Sequence, residues 1–176
     1  MGSHVALTTR QLDRLRAAGG IAELELDVPT LLDPDRAAAH VADTVERAVA
    51  GLRDGAADLV VTTSRTLVTG ADGAASLAIA RTVSAALVAV VRGTVARVRP
   101  AFVLGKGGIT SSDTATGGLG VTRAWSRGTL LPGVVSVWEP VAGPAQGVPY
   151  VVFAGNVGDD DGLLAAVRRL RTVPVP

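Results

Sequence analysis

The chain has 176 residues, of which 48% are hydrophobic but only 3% aromatic, and a formal net charge of +1; it is long enough for one domain with a sizeable core and too short for two ordinary ones. Acidic and basic residues are scattered along it, so no block favours nucleic acid or an anionic membrane as a partner. No cysteine is present, which excludes disulfides, thiolate metal sites and a cysteine nucleophile; the longest apolar run, Ala85 to Val91, is far short of a membrane span, the first residues do not read as a signal peptide, and the plain expectation is a cytoplasmic protein.

Thr8 and Gln11 have the spacing of a capping box, and Leu12 and Leu15 continue at helical spacing, which predicts a short helix stopped by Gly19-Gly20. Ile21 to Val28 alternates apolar with acidic residues, the period of a strand with one wet face near a sheet edge. Asp33-Pro34 reads as an N-cap and first-turn proline for a helix whose stripe is Ala38, Val41, Val45, Ala48, Val49 and Leu52 and which ends near Gly55. Leu59 to Thr63 is a β-branched run, hence a buried strand emptying into Ser64-Arg65. A long helix with Leu77, Ala80, Val83, Leu87, Val91 and Val95 on one stripe follows, closed by Pro100.

Next comes a strand over Ala101 to Leu104, then the loop Gly105-Lys106-Gly107-Gly108-Ile109-Thr110-Ser111-Ser112-Asp113 and a short helical segment before Gly117-Gly118. Val121 to Trp125 and Val134 to Trp138 are strand-like runs split by Gly128 and Pro132-Gly133, which predicts a hairpin in which Trp125 and Trp138 pack. Tyr150 to Phe153 is a last buried strand ending in Gly155-Asn156-Val157-Gly158. The final helix opens on Asp159 to Asp161 and closes on Arg168, Arg169 and Arg171, in keeping with the helix dipole.

Few aromatics and alternating strands and helices point to an α/β fold: a three-layer αβα domain on a largely parallel, mixed sheet with a C-terminal hairpin insertion. Such sheets bind ligands beyond the carboxyl ends of their strands. Three strands end in polar, flexible sequence, at Thr63-Ser64-Arg65, at Lys106 to Ser111 and at Gly155 to Gly158. If they are neighbours, their loops converge on one rim. Glycines present bare N–H groups, Thr110 and Ser111 add hydroxyls, and Lys106, the only lysine, adds a mobile positive charge, all suited to an anion such as phosphate. The loop matches neither the Walker lysine loop nor the dinucleotide fingerprint, so an ordinary strand-to-helix turn stands beside the phosphate reading. Asp113 could hold a metal or cap the short helix. His40 is expected on a helix surface.

Taken together and in order, Thr8-Thr9-Arg10-Gln11-Leu12 after Gly2-Ser3-His4, Thr63-Ser64-Arg65, Lys106 to Asp113, Leu119-Gly120-Val121, Leu131-Pro132-Gly133, Val137-Trp138, Pro149 to Phe153 and Gly155 to Asp160 closely resemble the C-terminal nucleotide-binding domain of the four-carbon acid sugar kinases. The resemblance covers essentially the whole chain. It implies an ATP-binding domain, with Mg2+, that works with a separate N-terminal domain holding a threonate, erythronate or 3-oxo-tetronate. Carried over residue by residue, Ser64, Gly107, Gly108, Ile109, Thr110 and Gly155 resemble the family's ATP contacts. Lys106, Ser111 and Asn156 stand beside them on physical grounds, as does Asp113 for the metal.

The chain departs from the family in two ways. No Asp-Asp-rich substrate domain precedes Gly2, and Met1 stands where the resemblance puts an apolar strand, so a piece of a longer protein, a misplaced start or a split gene is expected. A sheet lacking that strand would have a gap or a bare edge open to another chain, a second copy included. Ala154 stands where the family's proline is expected, a mild change because the glycines after it remain. The alternative expectation is a stand-alone nucleotide-binding or regulatory module without catalysis.

Overall fold

The computed structural model describes residues 1, 5–132 and 135–172; the motif positions Gly2, Ser3, His4, Gly133 and Val134 lie outside the described residues. The elements in chain order are α1 (Ala6–Ala18), β1 (Ile21–Leu26), α2 (Val28–Leu31), α3 (Ala37–Asp54), β2 (Asp58–Thr63), α4 (Gly73–Val95), β3 (Val103–Lys106), α5 (Gly108–Asp113), a π-helical segment (Thr114–Gly118), β4 (Ala124–Leu131), β5 (Val135–Pro140), β6 (Tyr150–Phe153) and α6 (Gly162–Arg171). The α/β class and the hairpin are as expected. The sheet is in two pieces: β1 and β2 pair in parallel, and β3-β6-β5-β4 form a mixed sheet in which only β3 and β6 are parallel.

Helices cover both faces. Leu15 of α1 and Leu163, Ala166, Val167 and Leu170 of α6 pack on Val135, Val151 and Phe153. On the opposite face Ala86, Leu87 and Val90 of α4 bury Leu26 and Leu31 with Val41 and Val45 of α3 beside them, while Ala115 and Leu119 close over Tyr150. By length and composition α4 could cross a membrane, at a mean hydropathy of 1.9, because Arg81 and Arg92 interrupt but do not cancel its apolar character. Here it lies along α3 and the π-helical segment.

Several local expectations are corrected. Thr8 and Gln11 do not cap α1: the helix begins two residues before Thr8, Val5 is its uncapped start, and both side chains are buried, reaching other segments. Asp33 accepts from the Asp35 amide at 3.0 Å in a turn, and α3 starts only at Ala37; the true side-chain cap in this region is Asp27, which accepts from the Thr30 amide. His40 does more than face solvent, since its Nε2 accepts from the Asp27 amide at 2.9 Å and ties α3 to the β1–α2 turn. Trp125 opposes Glu139 and remains 63% exposed, so it does not pack within the hairpin.

Candidate functional site

The carboxyl ends of β2, β3 and β6 share one rim. The link is α1: Thr8 Oγ1 donates to the Gly155 carbonyl at 2.9 Å, and Thr9 Oγ1 accepts from Arg65 Nη2 at 2.6 Å. At the other end of the strands Arg171 joins Asp58, at the start of β2, to the Gly20 carbonyl. The three predicted loops are therefore brought together as the sequence suggested.

On β3 the chain turns at Gly107, whose φ of 119° favours glycine. The Gly107 amide is spent on the Phe153 carbonyl at 2.9 Å, and its carbonyl accepts from Ser111 at 2.8 Å to open α5. The amides at the start of α5, from Gly108 through Thr110, lie in the turn where a helix has no partners of its own. Ile109 is 78% exposed beside them. A Cβ built at Gly108 meets nothing within 4 Å, so a side chain there would enter open space.

Lys106 is buried, and its ammonium turns to main-chain carbonyls, at 2.7 Å from Ala154 O and 3.4 Å from Gly155 O, over the Phe153 ring at 3.9 Å. Burial without a carboxylate partner pulls its pKa down to about 8. It braces the Gly155 loop from beneath. Ser111 is also buried and structural in its contacts: its hydroxyl donates to Gly105 O at 2.7 Å and its carbonyl accepts from the Tyr150 hydroxyl at 2.6 Å.

Ser64 is buried at the end of β2, where its hydroxyl accepts from the Val28 amide at 2.9 Å. Gly155 is buried and Asn156 exposed on the facing loop. Asp113 accepts a short hydrogen bond from Ser84 on α4, and no cluster of three or more His, Asp or Glu among the described residues could hold a metal ion. Of the acidic run opening α6, Asp160 pairs with Arg10 at 2.8 Å and Asp161 with Arg14 at 3.6 Å, ion pairs that tie α1 to this loop.

Sequence reasoning missed the contribution of α1. Gln11 Nε2 donates to Val157 O at 3.1 Å and Asp159 O at 2.6 Å, so one buried amide holds the last loop in shape. Two polar residues at i and i+3 on the same helix face as Leu12 and Leu15 were the available signal. Arg65 was also passed over: half-buried next to Ser64, with its pKa lowered by burial first and by Arg16 second, it places a guanidinium at the rim.

The sequence profile described as the nucleotide-binding C-terminal domain matches residues 1–163. No curated protein sequence gives a significant match. Among solved structures, a domain of unknown function (DUF1537) from Bordetella bronchiseptica, with bound citrate and as a domain-swapped dimer, is similar at a TM-score of 0.74 and 23% identity over 96% of this chain and 39% of that one. A DUF1537 protein from Haemophilus influenzae is similar at a TM-score of 0.65 and 18% identity, over 95% of this chain and 38% of that one. The chain thus spans about two-fifths of the length of these proteins.

Proposed function

Because the chain belongs to the nucleotide-binding C-terminal domain family, we propose that it is the ATP-binding part of a kinase that phosphorylates the terminal hydroxyl of a four-carbon sugar acid of the threonate, erythronate or 3-oxo-tetronate type. Under this proposal the chain is one domain, inactive alone, and a separate N-terminal domain brings the sugar acid. The length of the similar structures supports that arrangement. The observation that carries the reading is the open first turn of α5 beside the Gly155 loop, in a chain that matches the family along almost its whole length.

Phosphoryl transfer depends on positioning and charge neutralisation. The amides of Gly108, Ile109 and Thr110 would take phosphate oxygens, and Gly155 and Asn156 would close the other side. Arg65 supplies positive charge, while Ser64, Ser111 and Lys106 hold the three loops in register. Asp113, which keeps acceptor capacity on Oδ1 beside its bond to Ser84, would help to hold magnesium, and the ion would supply charge neutralisation. The acceptor hydroxyl oxygen would bond to the terminal phosphorus as the bridging P–O bond breaks, with ADP leaving and the proton going to a base outside this chain. ATP as donor and the lack of cysteine suit a cytoplasmic setting.

A second reading, a nucleotide-binding or regulatory module without catalysis, is favoured by one observation: Asp160 and Asp161, opening α6, are committed to arginines. Calorimetric titration with Mg-ATP of the parent and of Gly108→Val tests the site. The variant side chain enters open space, so the fold should survive while affinity falls at least about tenfold, near 1.4 kcal/mol. Equal binding by the folded variant would move the site elsewhere, and no binding by a folded parent would overturn the proposal as it stands for this chain. Nucleotide binding without turnover after addition of a sugar-acid domain would favour the module. The Bordetella relative is a domain-swapped dimer, and sedimentation of the same samples measures whether this chain self-associates.

A further inference from the structure

The ends of β1 and β2 meet at a turn that α3 holds from behind. Two consecutive main-chain amides there donate to different elements: the Asp27 amide to Nε2 of His40 on α3 at 2.9 Å, and the Val28 amide to the Ser64 hydroxyl at 2.9 Å. The Asp27 carboxylate is shared in the same way. Its Oδ2 accepts from the amide and the hydroxyl of Thr30, at 2.9 and 2.6 Å, while its Oδ1 stands 3.5 Å from Ser64 Oγ, at the outer limit of a hydrogen bond. Ser64 thus has one lone pair engaged by Val28 and a hydroxyl proton held only weakly. That leaves it a donor toward an oxygen at the rim.

An imidazole nitrogen that accepts a hydrogen bond carries no proton, so His40 is neutral here, with its proton on Nδ1. Protonation places an N–H on Nε2, facing the Asp27 N–H, and that bond is lost. The imidazolium is then drawn to the Asp27 carboxylate, which stays ionised because the hydroxyl of Thr30 first, and its amide second, hold its pKa below the usual carboxylate value. A shift of that carboxylate disturbs Thr30 and Ser64 together.

The other ionisable groups on the elements packed around α3 are engaged elsewhere or exposed. Glu23 on β1 pairs with Arg16, Asp58 on β2 with Arg171, and Arg92 on α4 donates to Gly117 O. Glu25 on β1 and Arg81 on α4 are exposed, and α2 carries no ionisable side chain. On α3 itself Asp43 pairs with Arg47 and Glu46 with Arg97, while before it Asp33 accepts from the Asp35 amide and Arg36 is exposed.

We propose that His40 is a positioning residue for the rim: neutral, it holds the Asp27–Val28 turn so that the Ser64 hydroxyl donates to an anionic ligand oxygen, and protonated, it releases the turn and weakens binding there. That the anion is a nucleotide phosphate rests on the function proposed above; the link from His40 to Ser64 does not.

Two readouts test these parts separately in the parent, in His40→Gln and in His40→Leu. The first is the NMR shift of the Asp27 and Val28 amides without ligand, from about pH 7.5 to about pH 5.5, within the range where imidazoles change charge. Both amides should move together in the parent and stay still in His40→Gln, whose side-chain oxygen accepts at every pH. A moving Asp27 amide with a still Val28 amide overturns the proposal, because the imidazole then does not reach Ser64. Movement of equal size in His40→Gln overturns it too. The second readout is Mg-ATP affinity over the same range. His40→Gln should match the parent at the upper end, and on acidification the parent should lose about fivefold more affinity, the size of one hydrogen bond. His40→Leu, with no acceptor, should bind about fivefold more weakly throughout. The ATP phosphates, and the buried Met1 amino group with its pKa of about 5, titrate in all three chains and cancel in the comparison. Equal losses in the parent and His40→Gln overturn the control of binding by His40. Absence of Mg-ATP binding by the folded parent at every pH overturns the nucleotide reading instead, and the two amides then decide whether His40 positions Ser64.

Discussion

Replacing Lys106 by methionine separates a brace from a ligand. In the unfolded chain this lysine titrates near the ordinary lysine value of 10.5, and in the folded chain burial lowers that to about 8. Below the lower value both states hold the proton, so the full cost of burying the charge is present. Between the two values the unfolded chain holds a proton that the folded chain has released, so stability rises with pH. At about 1.4 kcal/mol per pH unit, the gain from about pH 8 to about pH 10 is roughly 2–3 kcal/mol. Above that range Tyr150 opposes it: burial raises the phenol's pKa, the unfolded phenol ionises first, and stability falls. Urea unfolding, with a slope of about 2 kcal/mol per molar, should show the parent's midpoint climbing by about 1 M across this window and the Lys106→Met midpoint staying flat. Absolute stability near neutral pH is less telling, because losing the bonds to Ala154 and Gly155 offsets the removed charge. A variant that keeps the parent's slope, or a parent without one, refutes the buried and unpaired ammonium.

Gly105→Ala should destabilise by about 3 kcal/mol, since the new methyl would lie 2.4 Å from the Tyr150 hydroxyl and 2.9 Å from Ser111 Oγ; an unshifted thermal melt would show that α5 can slide away from β3 at no cost. Gln11→Leu keeps the volume but strips Val157 and Asp159 of their donor, so about 1–3 kcal/mol should be lost and Mg-ATP should bind more weakly; full affinity in the folded variant would mean that the loop holds its shape without α1.

Element types were legible where the apolar pattern was long enough, as in β2 and in α4, although of the α4 stripe Leu87 is buried while Leu77 is exposed, and Leu59 to Val61 of β2 are only half-buried. The Asp33-Pro34 signal failed because the short α2, capped by Asp27, takes the chain first and leaves those residues in a turn. Thr8 and Gln11 misled for another reason: a capping box and a pair of buried polar anchors share the same spacing, and only a contact some 150 positions away tells them apart. The rim itself was foreseeable, since strand ends in α/β sheets collect polar loops. What Lys106 and Ser111 do there was not, because a side chain turning in toward carbonyls or out toward a ligand depends on the neighbouring strand and leaves no mark in its own loop. Gly105 was read as part of a flexible loop, yet its value lies in letting Tyr150 and Ser111 close over the strand.

The clasp of α1 on the Gly155 loop also has a cost in time. Thr8 and Gly155 are separated by 147 positions, and Arg10 and Asp160 by 150. On a ribosome adding about 5–20 residues per second, the first helix must wait on the order of ten seconds for the loop that it holds. Through that interval Leu12 and Leu15, buried in the finished fold, have no α6 or β6 to cover them. The rim built from these loops is therefore among the last parts of the nascent domain to come into being.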